Sequence, residues 1–600
     1  MNKLSLFLFK DEALLNILLY VAILTIICFL VYRFSKKEKT KEIIGVIFLT
    51  LAYSIVSLYA LGNTIIPNTT WQPSTSLDEI IFELSDSDFD CVTLFYNEGD
   101  NNSNPDTYQN GINGVSLYGS NDLYEWYEIK TFEKGSIYAY NSVYGDFSYK
   151  YVRLSCNNKN ASISEIAFKK KGKDELISLS IYKDMGDVKY PSSLLIDEQD
   201  KVIINPTYLD QSYFDEVYHV RNANEIASGE YMYASVHPLL GTCFIALGIK
   251  LFGNNPLAWR LPGAFFGIMM VPIFYLILKE LFKDKKWAFF GTLLMDVEFM
   301  HLTTSRIATL EPFSVFFILL MYLFMIKYLN SKEYKKKIIN LFICGIFMGL
   351  GISTKWTACY SAVGLAILLF THLFAQYKEN KNVKEIIYTL LWCILFFVII
   401  PTIIYFIAYI PCHITRDGFS IKNVINQIVY MYNYHVNLKA THPYQSEWWQ
   451  WLLDLRPIWY YVGSDSNGVY HTISCFTNPI ITWFGLVAII YTIYDLIRNK
   501  NKVAYIIVIG YLSALLPWVS FVKRCVFAYH FYPTSCFMLL SIVYFCRNIY
   551  SKNNLGKVVT KTFLILSILV FIIYLPAITG FGTTKTYISI LEIFSSYNLG

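Results

Sequence analysis

The sequence predicts a polytopic α-helical membrane protein that carries a strand-rich domain on its extracytoplasmic face. Of the 600 residues, 54% are apolar and only 16% are charged, whereas soluble domains have roughly 45–50% apolar and about 25% charged residues. The apolar residues are gathered into long runs rather than periodic stripes. A long segment rich in Asn, Asp, Ser, Tyr and Gly interrupts these runs. This composition argues against a purely soluble enzyme.

Runs of about 20 mostly apolar residues predict membrane-spanning helices. Two runs precede the polar segment and the others follow it. We therefore predict about 12 spans, which cover residues 13–31, 43–61, 261–281, 288–302, 313–329, 338–352, 358–374, 386–410, 480–497, 504–519, 534–545 and 560–575.

The apolar stretch 239–252 decides the topology. It is only about 14 residues long and contains Lys250, so we predict an interfacial or re-entrant helix that does not cross. Lysine-rich loops then all lie on the cytoplasmic side, at residues 36–41, 279–286, 332–337, 378–384, 498–502 and 547–561. The polar segment and the long loop 411–478 lie outside, where we expect the chemistry.

The polar segment, from about residue 67 to 233, contains short alternating runs bounded by turn residues, which predict strands. We divide the chain into six parts by composition. They are two N-terminal spans (1–66), an extracytoplasmic domain (67–175), an outer loop with an acidic motif and interfacial helices (176–260), a transmembrane core (261–410), a second outer loop (411–478) and the C-terminal spans (479–600).

Charge and cysteine usage exclude several classes of function. The formal net charge is +5 and the pI is about 8.3, which is far from the basic stripe of a nucleic-acid-binding protein. The 12 cysteines form no CxxC pair and no Cys/His cluster, and most lie in apolar runs. We therefore predict no nucleic-acid partner and no zinc or iron–sulfur site.

The acidic pair Asp215-Glu216 is the first candidate for catalysis. It lies beside aromatic residues just before the short apolar stretch. A carboxylate near a low-dielectric boundary has a raised proton affinity and can act as a general base for a hydroxyl. The alternative is an exposed acidic pair at the start of a helix, where negative charge favours the helix dipole.

Cations at the ends of apolar segments form a second group, and a lipid phosphate is the natural anion at such positions. The alternative for each cation alone is snorkelling to lipid headgroups. Arg306 could also pair with the nearby Glu311. The group comprises Arg260, Arg306, Lys355, Arg456 and Arg524, with Lys523 next to the last of these.

The outer loop 411–478 is dense in tryptophan. Trp448 lies in a Glu-Trp-Trp-Gln-Trp sequence between His442 and Arg456. Tryptophans at this density are typical of an interfacial aromatic belt, but aromatic faces also stack on sugar rings, and the neighbouring polar side chains supply hydrogen bonds. The composition is compatible with both interpretations.

From about residue 197 to the end of the spans, the ordered motifs resemble those of the protein O-mannosyltransferases, which are GT-C membrane glycosyltransferases. The sequence departs from the family pattern at Leu239 for a proline, Thr242 for a lysine and Glu311 for an aspartate. The matching motifs are Phe214-Asp215-Glu216, Val236-His237-Pro238, the Phe-Gly-x-x-Pro-x-x-Trp-Arg element ending at Arg260, Arg306-Ile307-Ala308, Thr354-Lys355-Trp356, His442-Pro443-Tyr444, Arg456-Pro457, Thr477-Asn478-Pro479 and Arg524 through Tyr529-His530.

The resemblance implies a GT-C fold and transfer of mannose from a polyprenyl-phosphate carrier to Ser or Thr hydroxyls of an exported polypeptide, with inversion. It implies no metal and no other cofactor, since the lipid-linked sugar is a substrate. It implies that Asp215 removes the hydroxyl proton and that Glu216 orients acceptor or sugar, although these two roles could be exchanged. It also implies donor-phosphate contacts by Arg260, Arg306, Arg524 and Lys355, and a sugar or acceptor groove lined by His237, Glu311, His442, Trp448 and Arg456.

The polar domain resembles a discoidin, or galactose-binding-like, β-sandwich over residues 76–171. The resemblance rests on the Gly119-Ser120-Asn121-Asp122 turn and the strand Tyr149 to Leu154. It implies a possible glycan ligand, while a purely structural sandwich is the alternative. Cys91 and Cys156 could form a disulfide on an oxidising face.

Three functions follow from the whole pattern. The first is a lipid-linked mannosyltransferase of a bacterial plasma membrane whose active site faces outward. The second is a related enzyme that transfers another sugar, or transfers to a lipid or cell-wall glycan. The third is a glycan-binding transporter or scaffold, although the sequence lacks the internal repeats typical of transporters.

Overall fold

The computed structural model describes residues 13–34, 37–73, 78–96, 112–133, 135–158, 161–184, 190–232, 235–380, 383–414, 418–465, 468–520 and 524–600. It combines a bundle of long apolar helices with a β-sandwich between the second and third helices of the chain. This is the fold class that the sequence predicts.

The helices closely follow the apolar runs of the sequence. In chain order they are α1 Ala13–Phe34, α2 Glu38–Leu58, α3 Glu216–Ser228, α4 Leu240–Phe252, α5 Pro256–Phe282, α6 Lys285–Asp296, α7 Phe299–Ser305, α8 Glu311–Asn330, α9 Tyr334–Thr354, α10 Thr357–Asn380, α11 Val383–Ile394, α12 Ile400–Ile407, α13 Ile421–Asn437, α14 Trp448–Leu453, α15 Pro479–Asn499, α16 Lys502–Val519, α17 Tyr532–Lys552, α18 Asn554–Thr579 and α19 Lys585–Leu591. One π-helical turn, Leu395–Ile399, joins α11 to α12.

Within the described residues, nine helical segments are long and apolar enough to cross a membrane. The continuous segment Val383–Ile407 counts as one of them. Helix α4 is too short by the same criterion, in agreement with the sequence prediction that 239–252 is not a span.

The remaining three predicted spans also coincide with helices, but each departs from a simple span. The described apolar part of α1 is the shorter stretch Ile17–Arg33. Helix α17 is 21 residues long but too polar to meet the criterion. The predicted span 288–302 is divided into α6 and α7, because Glu298 begins α7 by accepting a hydrogen bond from His301 N.

The strand-rich domain is a sandwich of two antiparallel sheets. The larger sheet has the order β4-β3-β6-β1-β8 and the smaller one β5-β2-β7. Alternation along β6, with Val152 and Leu154 buried and their neighbours partly exposed, turns one face of the sheet inward. The strands are β1 Asp78–Leu84, β2 Asp88–Tyr96, β3 Val115–Ser120, β4 Tyr127–Phe132, β5 Ala139–Ser148, β6 Tyr151–Cys156, β7 Ile163–Lys170 and β8 Leu179–Lys183, and a separate hairpin comprises β9 Ile458–Ser464 and β10 Tyr470–Cys475.

Cys91 and Cys156 are both free thiols in the structure. Cys91 lies on β2 of the smaller sheet and Cys156 on β6 of the larger one. The Cys156 Sγ donates to the Asn158 carbonyl at 3.2 Å. The disulfide that the sequence allowed is therefore not formed here.

The sandwich packs directly against the segment that precedes α3. Ser212 N donates to the Tyr138 carbonyl at 2.9 Å, and Ser212 Oγ donates to the Ile137 carbonyl at 2.6 Å. The Tyr138 ring lies 5.5 Å from the Trp259 ring at the start of α5. These contacts connect the core of the sandwich to the beginning of the helical bundle, so the sandwich helps to position the segment that carries Asp215.

Candidate active site around Asp215

Asp215 lies at the N-terminal end of α3, just after a residue with unusual backbone geometry. Phe214 has φ of 52°, in the left-handed region that non-glycine residues rarely adopt. Its ring stacks on Tyr460 at 4.4 Å between centroids, which holds this turn in place. The Asp215 carboxylate accepts a hydrogen bond from Tyr529, which lies in the short helical turn Ala528–Phe531 before α17.

The surroundings of Asp215 make it a base suited to neutral pH. Burial raises the pKa of its carboxyl from 3.8 to about 7, and the negative charge of Glu311 acts in the same direction. Lys355 and the hydrogen bond from Tyr529 oppose the shift. A general base works best when its pKa is near the working pH, so this carboxylate can accept a proton from a hydroxyl.

Glu216 lies next to Asp215 in sequence but has a different environment. It is fully buried, and its carboxylate forms a two-pronged ion pair with Arg260, with distances of 2.7 Å to Nε and 2.8 Å to Nη2. Ala308 N also donates to Glu216 Oε1 at 2.9 Å. These contacts favour a positioning role over contact with acceptor or sugar.

Arg260 is also fully buried, and Nη1 and Nη2 donate to backbone carbonyls as well as to Glu216. Nη1 donates to Leu61 at 2.9 Å and to Tyr208 at 2.8 Å, and Nη2 donates to Gln211 at 2.8 Å. Its donors are thus committed within the protein. Arg260 joins the end of α2 to the segment before α3, and we assign it this role instead of the predicted contact with the donor phosphate.

Like Arg260, Arg306 donates to backbone carbonyls, in its case at the end of α2. It is buried, and its guanidinium donates at 2.8–3.0 Å to the carbonyls at the C-terminal end of α2, which belong to Val56, Ser57, Tyr59 and Ala60. A helix end leaves such carbonyls without partners within the helix, and a cation satisfies them. These contacts favour a structural role over the predicted phosphate contact, and Glu311 pairs with Lys355 instead of Arg306.

The buried Glu311–Lys355 ion pair lies beside Asp215. Glu311 is the first residue of α8, and Lys355 follows the last residue of α9. The Lys355 ammonium also lies 5.5 Å from the centre of the Tyr529 ring. Both charges therefore act on the Asp215 carboxylate, and they act in opposite directions.

Three histidines extend this cluster towards Arg524. The His237 ring lies 6.3 Å from that of His219 and 5.3 Å from that of His435. Burial lowers the pKa of His219 to about 4 and that of His435 to about 4, with the Arg524 charge adding to the shift of His435. Burial also lowers the pKa of His237. All three rings are therefore neutral at pH 7.

The contacts of His435 fix its tautomer. Arg524 Nη2 lies 2.7 Å from His435 Nδ1, and a guanidinium can only donate. Nδ1 must therefore accept, and the proton resides on Nε2, which donates to the Val236 carbonyl at 2.7 Å. His435 thus connects Arg524 to the backbone next to His237.

His435 is expected to act through Arg524 as a positioning residue. We expect His435→Ala to raise the KM for the lipid-linked donor on the order of tenfold, because the Nη2 atom of Arg524 loses the His435 acceptor. His435→Gln, which keeps both an acceptor and a donor, should restore much of the loss. The measurement is KM and kcat in a transfer assay, with the exposed Tyr432→Ala on the same helix as control. An unchanged KM in His435→Ala would contradict this role.

A cavity of about 460 Å³ is lined in part by Arg524, the partner of His435. Four of its lining residues are ones predicted for donor or acceptor contact. Arg456 is held at its rim by donating to the Pro443 carbonyl at 2.6 Å. The His442 ring packs edge-on against Phe527 at 5.2 Å. The lining residues are His442, Pro443, Gln445, Ser446, Glu447, Trp448, Trp449, Gln450, Arg456, Trp518, Arg524 and Val526.

The structure thus separates the predicted residues into three groups. Asp215, Glu311 and Lys355 form the acidic centre, and His237 belongs to the histidine cluster that leads to Arg524. His442, Trp448, Arg456 and again Arg524 line the cavity. Glu216, Arg260 and Arg306 lie in buried structural contacts.

Sequence reasoning did not assign roles to His219, His435, Tyr529 and His530. His219 lies four residues after Asp215, a spacing that places two side chains on one helical face, and this signal could have identified it. His435 and Arg524 are 89 residues apart, and no local pattern joins them.

One group of acidic side chains in the described part of the chain has the geometry of a cation site. It consists of Glu165, Asp197 and Glu198 in the sandwich region, with ligand atoms within 4.8 Å of one another. Burial raises the pKa of Glu165 to about 8, and Lys201 pairs with Glu198. A protonated Glu165 and the Lys201 ammonium together reduce the negative charge of this cluster. The cluster is not among the contacts of Asp215.

Two family models match this chain. The family described as "Dolichyl-phosphate-mannose-protein mannosyltransferase" matches residues 255–413, and the "C-terminal four TMM region of protein-O-mannosyltransferase" matches residues 420–597. Together these matches span more than half of the chain.

Two curated relatives and one solved structure extend the comparison. The polyprenol-phosphate-mannose–protein mannosyltransferase of Corynebacterium glutamicum is 23% identical, over 58% of this chain and 78% of its own length. The protein of the same name from Mycobacterium tuberculosis is 19% identical, over 62% of this chain and 83% of its own. The S. cerevisiae Pmt1-Pmt2 complex bound to the sugar donor has the same fold, with a TM-score of 0.57 and 15% identity over 65% of this chain and 90% of that chain.

Proposed function

The chain belongs to the protein O-mannosyltransferase family of GT-C membrane glycosyltransferases, and on that premise we propose that it transfers mannose from a polyprenyl-phosphate carrier to Ser or Thr hydroxyls of exported polypeptides. The proposal includes inversion at the sugar carbon and an active site on the extracytoplasmic face of a bacterial plasma membrane. The observation that carries it is the Asp215 carboxylate, a base with a pKa of about 7 whose neighbours Glu311, Lys355 and Tyr529 line a second, smaller cavity.

In this reaction the acceptor hydroxyl attacks the anomeric carbon of the mannose. Asp215 takes the hydroxyl proton as the new carbon–oxygen bond forms, and the bond from that carbon to the phosphate oxygen breaks. The phosphate gains negative charge, and Arg524 and Arg456, which both line the larger cavity, stabilise it. Attack from the face opposite the leaving phosphate inverts the anomeric centre.

The remaining polar residues support this chemistry. Lys355 and Glu311 set the proton affinity of Asp215, and His435 holds Arg524. Trp448 and His442 offer aromatic faces on which a sugar ring can stack. Glu216 and Arg260 hold the backbone on either side of Asp215. The proposal places the prenyl tail of the carrier in the surrounding lipid. It includes no dissociable cofactor, because the lipid-linked sugar is itself the substrate.

The two charges beside Asp215 give a test of its role as base. Asp215 must be ionised to accept a proton, so the rate should rise with pH and level off above about 7. Glu311 raises the pKa of Asp215, so we expect Glu311→Gln to move the midpoint to lower pH, by a few tenths of a unit to about one unit. Lys355→Met should move it to higher pH, because Lys355 lowers that pKa.

The measurement is the pH profile of kcat/KM for both variants, each first checked for folding by thermal unfolding. Shifts in opposite directions support Asp215 as the titrating base. Identical profiles in the three proteins would show that another group limits the rate.

The activity itself is tested with purified protein, mannose on a polyprenyl phosphate, and a Ser/Thr-rich peptide. We expect O-linked mannose on the peptide, identified by mass spectrometry. The same peptide is offered glucose and galactose carriers in parallel, which tests the identity of the sugar. Transfer to lipid or glycan acceptors alone would contradict the proposed acceptor, and transfer with none of these donors would contradict the enzyme assignment.

The sandwich is proposed to act near the acceptor. Its contacts through Tyr138 and Ser212 favour a scaffold for the catalytic segment. Tyr124 and Tyr127 are 89% and 55% exposed and offer rings that could stack on a glycan. Glycan binding therefore stays a proposal beside the structural role.

A further inference from the structure

Two cysteines from distant parts of the chain touch where the short helix α4 meets the start of the outer loop 411–478. The Sγ atoms of Cys243, on α4, and Cys412, which follows α12, lie 3.6 Å apart. Both thiols point towards the Ala408 carbonyl, at 3.8 Å and 3.7 Å. Cys412 is buried, with 1% of its surface exposed, and Cys243 is partly accessible. No role in the transfer reaction uses either thiol.

The segments that this pair joins also hold the histidine cluster. Met232 N donates to the carbonyl of His413, the neighbour of Cys412, at 2.9 Å. Gln427, on α13, donates to the Ser235 carbonyl at 2.6 Å, and His435 donates to Val236 as described above. Hydrogen bonds thus join the backbone before α4 to the outer loop. Cys412 is the neighbour of one residue in these contacts, His413, and Cys243 lies on α4 itself.

We propose that Cys243 and Cys412 form a disulfide when the outer face of the protein meets a disulfide oxidant. A disulfide needs an S–S distance of about 2.05 Å, so the sulfurs must approach by roughly 1.5 Å, which side-chain rotation can supply. The cysteines are 169 positions apart in the chain, and cross-linking such distant residues constrains the unfolded chain strongly. The bond would lock α4 to the outer loop.

The reaction needs a disulfide as oxidant, either a small one such as oxidised glutathione or that of an extracytoplasmic thiol–disulfide oxidoreductase. The accessible Cys243 thiolate attacks the oxidant, which forms a mixed disulfide and releases one thiol. The Cys412 thiolate then attacks Cys243 Sγ, and the second thiol leaves. Two S–H bonds of the protein become one S–S bond, and the oxidant is reduced to two thiols.

The placement of the cysteine pair on the outer side of the membrane rests on the proposed function. The experiments therefore test separately whether the two cysteines can pair and on which side of the membrane they lie. Purified wild-type protein is incubated with oxidised glutathione, free thiols are blocked, and peptides are mapped by mass spectrometry without reduction. We expect a cross-linked peptide pair containing Cys243 and Cys412 in most molecules. The melting temperature should rise by a few degrees and fall again after reduction.

Matched variants control the result. Cys243→Ser and Cys412→Ser should each abolish both the cross-link and the thermal shift, while Cys359→Ser, which alters another partly accessible cysteine, should keep both. Full alkylation of both thiols after oxidation of the wild type, or glutathione bound to one of them without a cross-link, would overturn the proposal. These readouts require no transfer activity.

Sidedness is tested on intact cells with an oxidant that does not cross the membrane. Cross-linking there supports the disulfide together with an outward-facing site. Cross-linking of the purified protein but not in cells would support the pairing geometry and contradict the proposed sidedness instead.

Discussion

Asp215→Asn is expected to lower kcat on the order of 10³-fold while the protein still folds and binds donor. The amide has nearly the shape of the carboxylate but cannot take up the hydroxyl proton, and general-base catalysis contributes about 10²–10⁴-fold. Because the Asn oxygen can still accept the hydrogen bond from Tyr529, and Asp215 forms no capping hydrogen bond for α3, little stability should be lost. Single-turnover transfer of labelled mannose measures the effect.

The control for this variant is Asp200→Asn, an exposed aspartate in the short helix Gln199–Lys201. It should transfer mannose at the wild-type rate. Donor binding, followed by fluorescence of the tryptophans lining the cavity, should be similar in wild type and Asp215→Asn. Full activity in Asp215→Asn would remove this residue from the mechanism and direct attention to the neighbouring histidines.

Arg260→Met is expected to destabilise the folded protein by about 3–5 kcal/mol, because it leaves the buried Glu216 carboxylate without its counter-ion. The loss also leaves the Leu61, Tyr208 and Gln211 carbonyls without the guanidinium that they share. Glu216→Gln should be less severe, since the amide oxygen still accepts from Arg260. Denaturant unfolding of the detergent-solubilised protein measures both variants.

An exposed pair provides the comparison. Lys336→Met breaks the ion pair with Glu333 on the surface, and such pairs contribute about 0–1 kcal/mol. If Arg260→Met were as stable as Lys336→Met and lost only donor affinity, the phosphate-binding role predicted from the sequence would be correct. The structural assignment of Arg260 would then be wrong.

The sequence predicted the architecture well because lipid and water impose simple rules on composition. Apolar runs located the helices, and the polar interruption located the sandwich. The boundary error at 288–302 has a local cause, since Glu298 begins a new helix within an apolar stretch. A window that averages hydropathy does not detect one capping side chain.

The site was predicted less completely because cationic side chains look alike in a sequence. Arg260, Arg306 and Arg524 all follow the family motifs, yet only Arg524 lines the cavity. The other two bind backbone carbonyls that lie up to 273 positions away. Any residue type supplies such an acceptor, so sequence motifs do not reveal the partner. The same reason hides the contact between His435 and Val236.

The hydrogen bonds from Arg306 to the end of α2 also have a consequence for folding during synthesis. Residues 56–60 leave the ribosome long before Arg306 does. Their carbonyls therefore cannot bind the Arg306 guanidinium until the whole sandwich has been synthesised. Arg260 closes the gap between Leu61 and the segment before Asp215 in the same way. The turn that carries Asp215 can therefore reach its final contacts only after α5, which contains Arg260, has been made. A chain that stopped before Arg306 would contain the residues of the sandwich but would lack the guanidinium that binds the end of α2.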